Sequence, residues 1–135
     1  MFVHEHKLRV RYAETDQMGY VYYGNYAAYY EVARTEMLRA TGITYKELEE
    51  MGVMMPVIEL KTTYHQAATY DELLTIKVTI KDKPSVRIVF EYEIYNEQGK
   101  LLNTGITHLV FVDMVKNRPC KPPEIFMNKI APYYL

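Results

Sequence analysis

The segment from Asn25 to Gly42 restricts the possible folds more than any other part of the sequence. Apolar residues recur in it at three- and four-residue steps, the spacing of one helix face. They are Tyr26, Tyr29, Tyr30, Ala33, Met37 and Ala40. Further apolar side chains at Ala27, Ala28 and Val32 leave only a narrow polar stripe. We therefore expect a long helix that other elements enclose and that Gly42 terminates.

Most of the remaining sequence has a period of two, which is typical of half-buried strands. The strand-like segments are Lys7–Tyr12, Val57–Tyr64, Leu74–Lys81, Val86–Tyr95 and Leu102–Met114. A short helix opens with the capping box of Thr44 and Glu47 and stops at Gly52. A proline-rich segment then leads into an irregular tail. The pattern predicts an α+β fold, with one long helix wrapped by a curved antiparallel sheet of about five strands, the last four forming a meander.

The overall composition narrows the functional classes. A chain of 135 residues is expected to form one domain spanning residues 1–135. The net charge of −1, without a concentrated basic run, argues against a nucleic-acid partner. No segment approaches the roughly 20 apolar residues that span a bilayer, so membrane insertion is not expected. The single cysteine, Cys120, excludes an internal disulfide framework, and we expect a cytoplasmic protein.

The loop before the long helix contains a specific motif, TDQMGYVYYGNY, at Thr15–Tyr26. The motif combines the acid Asp16, a glycine three residues later, a valine, an aromatic pair and an Asn-Tyr pair at its end. Three further segments carry features of the same kind of protein: ARTEML (Ala33–Leu38), YDELLTI (Tyr70–Ile76) and GITHLVFVD (Gly105–Asp113). Together with the order of elements, these motifs resemble the hotdog-fold acyl-CoA thioesterases of the 4-hydroxybenzoyl-CoA thioesterase-like family. The resemblance implies the hotdog fold and hydrolysis of an acyl-CoA thioester to free acid and CoA.

Thioester hydrolysis requires a group that attacks the carbonyl or activates water, and donors for the developing oxyanion. Asp16 supplies a carboxylate that is ionised at neutral pH. The long helix begins with unpaired N–H groups and a partial positive charge. By resemblance, Asp16 is the catalytic base or nucleophile and the backbone N–H of Tyr23 is the oxyanion donor. The alternative for Asp16 is a purely structural Asx-turn or capping residue.

Several neighbouring residues are candidates for substrate binding. Gly19 lets the loop bring backbone close to the substrate, and the resemblance adds Val21 and Tyr22. Asn25 is either a substrate contact or the N-cap of the helix, and the cap is preferred. Glu31 is either a carboxylate near the site or a solvated surface residue. The remaining candidate is Met55, which with Met18, Met54 and Tyr64 is expected to set the depth of an acyl pocket.

Lys83 and Arg87 are the candidates for contact with the phosphates of coenzyme A. They surround the Pro84 turn, and the family uses this region for the nucleotide. The alternative is an ordinary solvated turn with basic residues that protect a strand edge. No metal site is expected, because the four histidines and one cysteine form no ligand-spaced cluster. No cofactor is expected beyond the coenzyme A of the substrate.

We expect a homo-oligomer. Val89, Leu109 and Phe111 are predicted to form an apolar patch on the sheet face opposite the helix, which suggests subunit contact. Hotdog proteins pair as dimers with sites at the subunit junction and often assemble into tetramers, so the second subunit is expected to complete each site.

Two rival functions stay open. One is a hotdog hydratase or dehydratase, whose usual histidine is missing from the Asp16 loop. The other is a non-catalytic acyl-thioester binding protein. The sequence does not choose between aromatic and aliphatic acyl groups, because methionines adapt to many shapes, nor between coenzyme A and acyl-carrier protein.

Overall fold

The computed structural model describes residues 1–135. Its strands are β1 (Phe2–Arg9), β2 (Val53–Met54), β3 (Val57–Tyr64), β4 (Leu73–Ile80), β5 (Arg87–Tyr95), β6 (Leu101–Val110), β7 (Val112–Asp113) and β8 (Arg118–Pro119). Its α-helices are α1 (Tyr26–Ala40), α2 (Tyr45–Glu50) and α3 (Glu124–Ile130), and 3₁₀ turns lie at Tyr12–Glu14, Tyr23–Asn25 and Ala131–Tyr134. The predicted α+β class, with one long helix and a five-stranded antiparallel sheet, is confirmed.

The sheet has the strand order β1-β4-β5-β6-β3, and every pairing is antiparallel. The predicted meander of four consecutive strands is therefore wrong, because β3 pairs with β6 and not with β4. The segment 65–72 carries the chain from one edge of the sheet towards the other. On the way it contacts the loop that contains Asp16: Val21 N–H donates to Ala68 O at 2.8 Å, and Tyr70 N–H donates to Gly19 O at 3.1 Å. This crossover fixes the loop against the sheet.

Helix α1 lies on the inner face of the sheet and forms the centre of the core. Its buried residues are Tyr26, Tyr29, Tyr30, Ala33, Arg34, Met37 and Leu38. The expectation that the helix is enclosed all round is only partly met, since Ala27, Ala28 and Val32 are exposed. No helix of the structure is both long and apolar enough to cross a lipid bilayer.

A buried polar network joins α1 to the sheet beneath it. The ring of Tyr30 stacks on that of Tyr92, with centroids 4.2 Å apart. The hydroxyl of Tyr30 bonds to Thr62 Oγ1 at 2.8 Å and to Asn103 Oδ1. Burial raises the pKa of Tyr30 to about 12, so the phenol stays neutral and can donate a hydrogen bond in this network. The network holds the helix at one fixed position over β3 and β6.

The apolar patch predicted on the outer face of the sheet is wrong for two of its three members. Leu109 and Phe111 are fully buried on the inner face, and only Val89 lies half-buried on the outer face. The cause is a register irregularity in β6, where Tyr95 pairs with Leu101 and Ile94 with Asn103. Leu102 is skipped, and one extra residue reverses which side chains face the core downstream.

Two shorter helices complete the core. Helix α2 begins as predicted, with Glu47 N–H donating to Thr44 Oγ1 at 3.2 Å. The predicted irregular tail is instead helical, since α3 buries Phe126 and Ile130. Phe126 lies against Phe111, with ring centroids 5.5 Å apart.

Candidate active site

The loop Thr15–Val21 closes on itself and holds Asp16 in a defined position. Asp16 N–H donates to Tyr20 O at 2.8 Å, and Gly19 N–H donates to Asp16 O at 3.0 Å. Gly19 has a φ of +78°, a conformation that glycine adopts without the steric cost that other residues meet. The glycine at this position is therefore needed for the tight turn that presents Asp16.

The two carboxylate oxygens of Asp16 have different surroundings. Oδ1 accepts hydrogen bonds from Met18 N–H at 2.9 Å and from Tyr20 N–H at 3.2 Å, which is an Asx-turn arrangement. No hydrogen bond within the chain reaches Oδ2. The structural interpretation of Asp16 accounts for one oxygen and leaves the other free for chemistry.

The start of the long helix supplies free backbone donors near Asp16. A 3₁₀ turn at Tyr23–Asn25 precedes α1, and the N–H groups of Tyr23 and Gly24 donate to no acceptor within the chain. The carbonyl of Tyr23 accepts from Tyr26 N–H and from the hydroxyl of Tyr64 at 3.3 Å. These bonds fix the orientation of the peptide whose N–H belongs to Gly24. Free N–H groups at a helix start are suited to hold an anion or a polarised carbonyl oxygen.

Asp16 and Tyr23 lie in the wall of the same cavity, which we call the aromatic cavity. It has a volume of about 300 Å³ and is lined by Asp16, Tyr20, Val21, Tyr23, Tyr26, Tyr64, His65, Gln66 and Ala67. Burial raises the pKa of the Tyr26 phenol, so the Tyr26 part of the wall is neutral beside the Asp16 carboxylate. His65 bonds through Nε2 to Thr104 Oγ1 at 3.0 Å.

Asp16 also borders a second, wider opening, which we call the polar groove. This groove has a volume of about 790 Å³ and is lined by Tyr12, Thr15, Asp16, Gln17, Gly19 and Tyr70. The rings of Tyr12 and Tyr70 meet edge to face at 5.7 Å, and both are exposed. The carboxylate thus stands in a wall shared by two cavities of different character.

The preferred interpretation of Asn25 as a side-chain N-cap is wrong. Asn25 occupies the position before α1, but its side chain makes no cap hydrogen bond. Its Nδ2 instead donates to Glu14 O at 2.8 Å. The Asn25 side chain therefore links the start of α1 to Glu14, two residues before Asp16.

The other predicted binding residues are spread more widely. Gly19 borders the polar groove and Val21 the aromatic cavity. Tyr22 is exposed, with its ring centroid 4.6 Å from that of Tyr23. The remaining residues line neither cavity: Met55 is buried in the core, while Glu31, Lys83 and Arg87 are exposed.

Sequence reasoning did not single out several residues that line the two cavities beside Asp16. Tyr12, Gln17 and Tyr70 line the polar groove, and His65 and Gln66 line the aromatic cavity. The motif at Tyr70–Ile76 was the available signal for Tyr70. Nothing in the periodicity indicated that the segment 65–72 crosses beside Asp16. The structure contains no group of three or more His, Cys, Asp or Glu side chains arranged to hold a metal ion.

Comparison with known proteins assigns the chain to a family. The sequence model of the thioesterase-like superfamily matches residues 10–130. The chain is 35% identical over 126 residues to the YneP protein of Bacillus subtilis, covering 93% of this chain and 91% of that protein. It is also 35% identical over 117 residues to the acyl-CoA thioester hydrolase YbgC of Escherichia coli, covering 87% of each.

A solved structure of similar sequence gives the same result. The DHNA-CoA thioesterase of Staphylococcus aureus is 34% identical, with a TM-score of 0.89, and the match covers 98% of this chain and 89% of that one. The recognition made from the loop motif is confirmed. The chain belongs to the thioesterase-like superfamily and is a thioester hydrolase of the hotdog fold.

Proposed function

We propose that this protein hydrolyses an acyl-CoA thioester to a free acid and coenzyme A, with Asp16 and the Tyr23 amide acting on the same carbonyl. The observation that carries the proposal is that Asp16 Oδ2 and the Tyr23 N–H are both free of internal hydrogen bonds, and that both residues line the aromatic cavity. A thioester carbonyl in this cavity has a negative oxygen available to one side and the free Tyr23 N–H as a donor for its own oxygen; the Tyr22–Tyr23 peptide is held by the bond from Asn25 N–H to Tyr22 O at 2.9 Å.

Each step of the reaction has a group to perform it. Asp16 Oδ2 accepts a proton from water as the water oxygen bonds to the carbonyl carbon. Alternatively, it attacks that carbon itself, and water hydrolyses the resulting anhydride. The carbonyl oxygen becomes negative and is stabilised by the Tyr23 N–H at the helix start. The C–S bond then breaks, and the thiolate of coenzyme A leaves and takes up a proton. Both routes require the same pair of groups.

The lining of the aromatic cavity favours a compact, flat acyl group. Tyr23, Tyr26 and Tyr64 present rings to it, and aromatic pairs gain from stacked or edge-to-face contact. The similar enzyme from Staphylococcus aureus is named for an aromatic acyl-CoA, DHNA-CoA. We therefore propose an aromatic acyl-CoA as the preferred substrate class.

The assay for this function is thiol release from a panel of thioesters with purified protein. The panel contains benzoyl-CoA, a naphthoyl-CoA, acetyl-CoA, hexanoyl-CoA and palmitoyl-CoA, together with one acyl-carrier-protein thioester of the best acyl group. We expect the highest kcat/KM for the aromatic CoA thioesters. Absence of thiol release from every member would contradict the proposal and would favour a binding protein.

Adding an enoyl-CoA such as crotonyl-CoA to the panel lets the same assay separate the hydratase alternative. His65 lies in the aromatic cavity, but its Nε2 is bonded to Thr104, so this nitrogen is already engaged. A hydratase would consume the conjugated double bond of an enoyl-CoA without releasing thiol. We expect the opposite result, with thiol released and the double bond retained in the free acid.

We further propose that two chains pair through β3 and that pairing completes each site. Both β1 and β3 are edges of the sheet. The exposed side chains of β1 include Glu5, Lys7 and Arg9, and charges of this kind discourage edge-to-edge pairing. Edge strand β3 instead exposes apolar side chains at Val57, Ile58, Leu60 and Tyr64. Since Tyr64 also lines the aromatic cavity, a partner on β3 would cover that cavity.

Pairing through β3 predicts that Leu60→Asp dissociates the oligomer and lowers turnover. Leu60 is 42% exposed on β3, and a carboxylate there would have to be buried at the proposed interface. The matched control is Val3→Asp, which places the same charge at a 40% exposed position on β1. Sedimentation velocity at several concentrations is expected to show a dimer or tetramer for the wild type and Val3→Asp, and a monomer for Leu60→Asp. A fully active monomer of the wild type would contradict this proposal.

A further inference from the structure

Glu14 lies two residues before Asp16 and has no role in the mechanism described so far. Its side chain is only 17% exposed, and it lines neither the aromatic cavity nor the polar groove. A largely buried carboxylate needs hydrogen-bond donors, because a charge removed from water without partners is costly. The partners of Glu14 therefore show which parts of the site it joins.

The backbone of Glu14 pairs with the segment that carries the proposed oxyanion donor. Glu14 O accepts from Tyr22 N–H at 2.9 Å, and the next N–H along the chain is the free one of Tyr23. In the same short antiparallel pairing, Asp16 N–H donates to Tyr20 O at 2.8 Å. The two groups that act on the carbonyl thus belong to opposite sides of one backbone pairing.

The side chain of Glu14 joins this pairing to helix α1. Glu14 Oε1 accepts from Arg11 N–H at 2.8 Å and from the Tyr29 hydroxyl at 3.1 Å. Tyr29 lies near the start of α1 and is 2% exposed. Burial and the Glu14 charge raise the pKa of Tyr29, so its phenol stays neutral and donates the hydrogen bond. Asn25 Nδ2, which donates to Glu14 O at 2.8 Å, makes a second connection to the start of the helix.

We infer that Glu14 is a positioning residue that sets the separation between the Asp16 carboxylate and the Tyr23 amide, by holding their backbone pairing against α1 through the Tyr29 hydroxyl. The inference rests on the proposed thioesterase function and deepens it. A displacement of about 1 Å between groups that act on one carbonyl can cost about 10²-fold in rate. Loss of the contact between Glu14 and Tyr29 is therefore expected to lower kcat.

The first test removes only the hydroxyl of Tyr29. Tyr29→Phe keeps the ring, which meets the ring of Tyr26 edge to face at 5.9 Å, so the wall of the aromatic cavity is retained. We expect kcat for thiol release from the best acyl-CoA of the panel to fall about threefold to tenfold, the effect of one hydrogen bond. KM is expected to stay within about twofold of wild type, because the cavity lining is unchanged.

Tyr134→Phe is the matched control for stability. The Tyr134 hydroxyl donates to Ile80 O at 2.8 Å, and Tyr134 borders neither cavity. Each of the two variants thus loses one phenolic hydrogen bond. We expect both to melt at a somewhat lower temperature, but only Tyr29→Phe to lose turnover.

The second test asks which property of Glu14 matters. Glu14→Gln keeps an oxygen that can accept from Arg11 N–H and from the Tyr29 hydroxyl, whereas Glu14→Ala keeps neither bond. We expect kcat to fall about 10- to 100-fold in Glu14→Ala and to stay within about threefold of wild type in Glu14→Gln. The variant with both Glu14→Ala and Tyr29→Phe is expected to match Glu14→Ala within about twofold, because both changes remove the same contact.

The outcomes separate this inference from the proposed function. Thiol release by the wild type, lost in Asp16→Asn, supports the function whatever the Glu14 and Tyr29 variants do. An unchanged kcat in folded Tyr29→Phe would overturn the positioning role, and this comparison remains decisive even where Glu14→Ala does not fold. Equal losses of kcat in Glu14→Gln and Glu14→Ala would also overturn it, as would a raised KM with unchanged kcat or independent losses that multiply in the double variant.

Discussion

Replacing Asp16 by asparagine is expected to lower kcat for thiol release about 10²- to 10⁴-fold, the range typical for loss of a positioned catalytic base. The substitution is chosen because asparagine retains the Oδ1 atom. The hydrogen bonds from Met18 and Tyr20 N–H to that atom can therefore persist, so the loop keeps its shape. What is lost is the negative charge and the basicity of Oδ2.

The chain contains a closely matched control at Asp113. Its Oδ1 also accepts two backbone hydrogen bonds, from Val115 at 2.9 Å and Lys116 at 3.0 Å. These bonds hold the pKa of the Asp113 carboxyl below its usual range. Asp113 borders neither cavity, so Asp113→Asn is expected to leave kcat and KM unchanged.

Three measurements distinguish catalysis from loop structure at Asp16. These are kcat, KM and melting temperature for Asp16→Asn and Asp16→Ala. We expect both variants to lose turnover, but only alanine to lose the turn hydrogen bonds and with them some stability. If Asp16→Asn turned over like the wild type while Asp16→Ala melted early, Asp16 would be a structural turn residue and the proposed mechanism would be wrong.

The sequence predicted those elements whose signal is local. The three- and four-residue spacing from Tyr26 to Met37 predicted α1, and the pair of Thr44 and Glu47 predicted the start of α2. Alternation predicted the long strands to within a few residues, except that β1 begins at Phe2 and not at Lys7. Such patterns are readable because they reflect contacts between residues that are close along the chain.

The errors arose where distant parts of the chain decide the outcome. Alternation carries no information about which strands are neighbours, so the pairing of β3 with β6 was not predictable from it. The extra residue at Leu102 reversed the faces assigned to Leu109 and Phe111. Asn25 has the residue type of an N-cap, but its side-chain amide donates to the carbonyl of Glu14, eleven residues earlier in the chain.

The candidate site shows the same division. Asp16 and Tyr23 were found through a contiguous motif, and both line the aromatic cavity. Tyr12 and Tyr70 are brought together only by the crossover after β3, which a contiguous motif does not describe. Helix α3 lacks a capping side chain at its start. The signals that the sequence offers for it are the spacing of Phe126 and Ile130, with Glu124 in the first turn and Lys129 in the last.

The second large effect is expected from Gly105→Ala, which should lower the free energy of unfolding by about 1–3 kcal/mol or more through overpacking. Gly105 lies on β6 directly beneath Tyr30, and a Cβ atom there would come within 3.0 Å of three atoms of the Tyr30 side chain. That ring cannot easily move, because it is fully buried, stacked on Tyr92 and hydrogen-bonded through its hydroxyl.

Gly24→Ala is the matched comparison, and urea unfolding followed by circular dichroism is the measurement. Its added Cβ would also meet a tyrosine ring, at 2.8 Å from Tyr22 Cε2. Tyr22 is 47% exposed and can rotate into solvent, so this variant is expected to lose much less stability. Because Tyr30 belongs to the helix whose start carries the free amides, Gly105→Ala is also expected to disturb those donors and lower kcat in the fraction that stays folded. Equal stability of the two variants would mean that α1 is not held against β6 by a close fit, and the fixed position of the oxyanion donors would lose its physical basis.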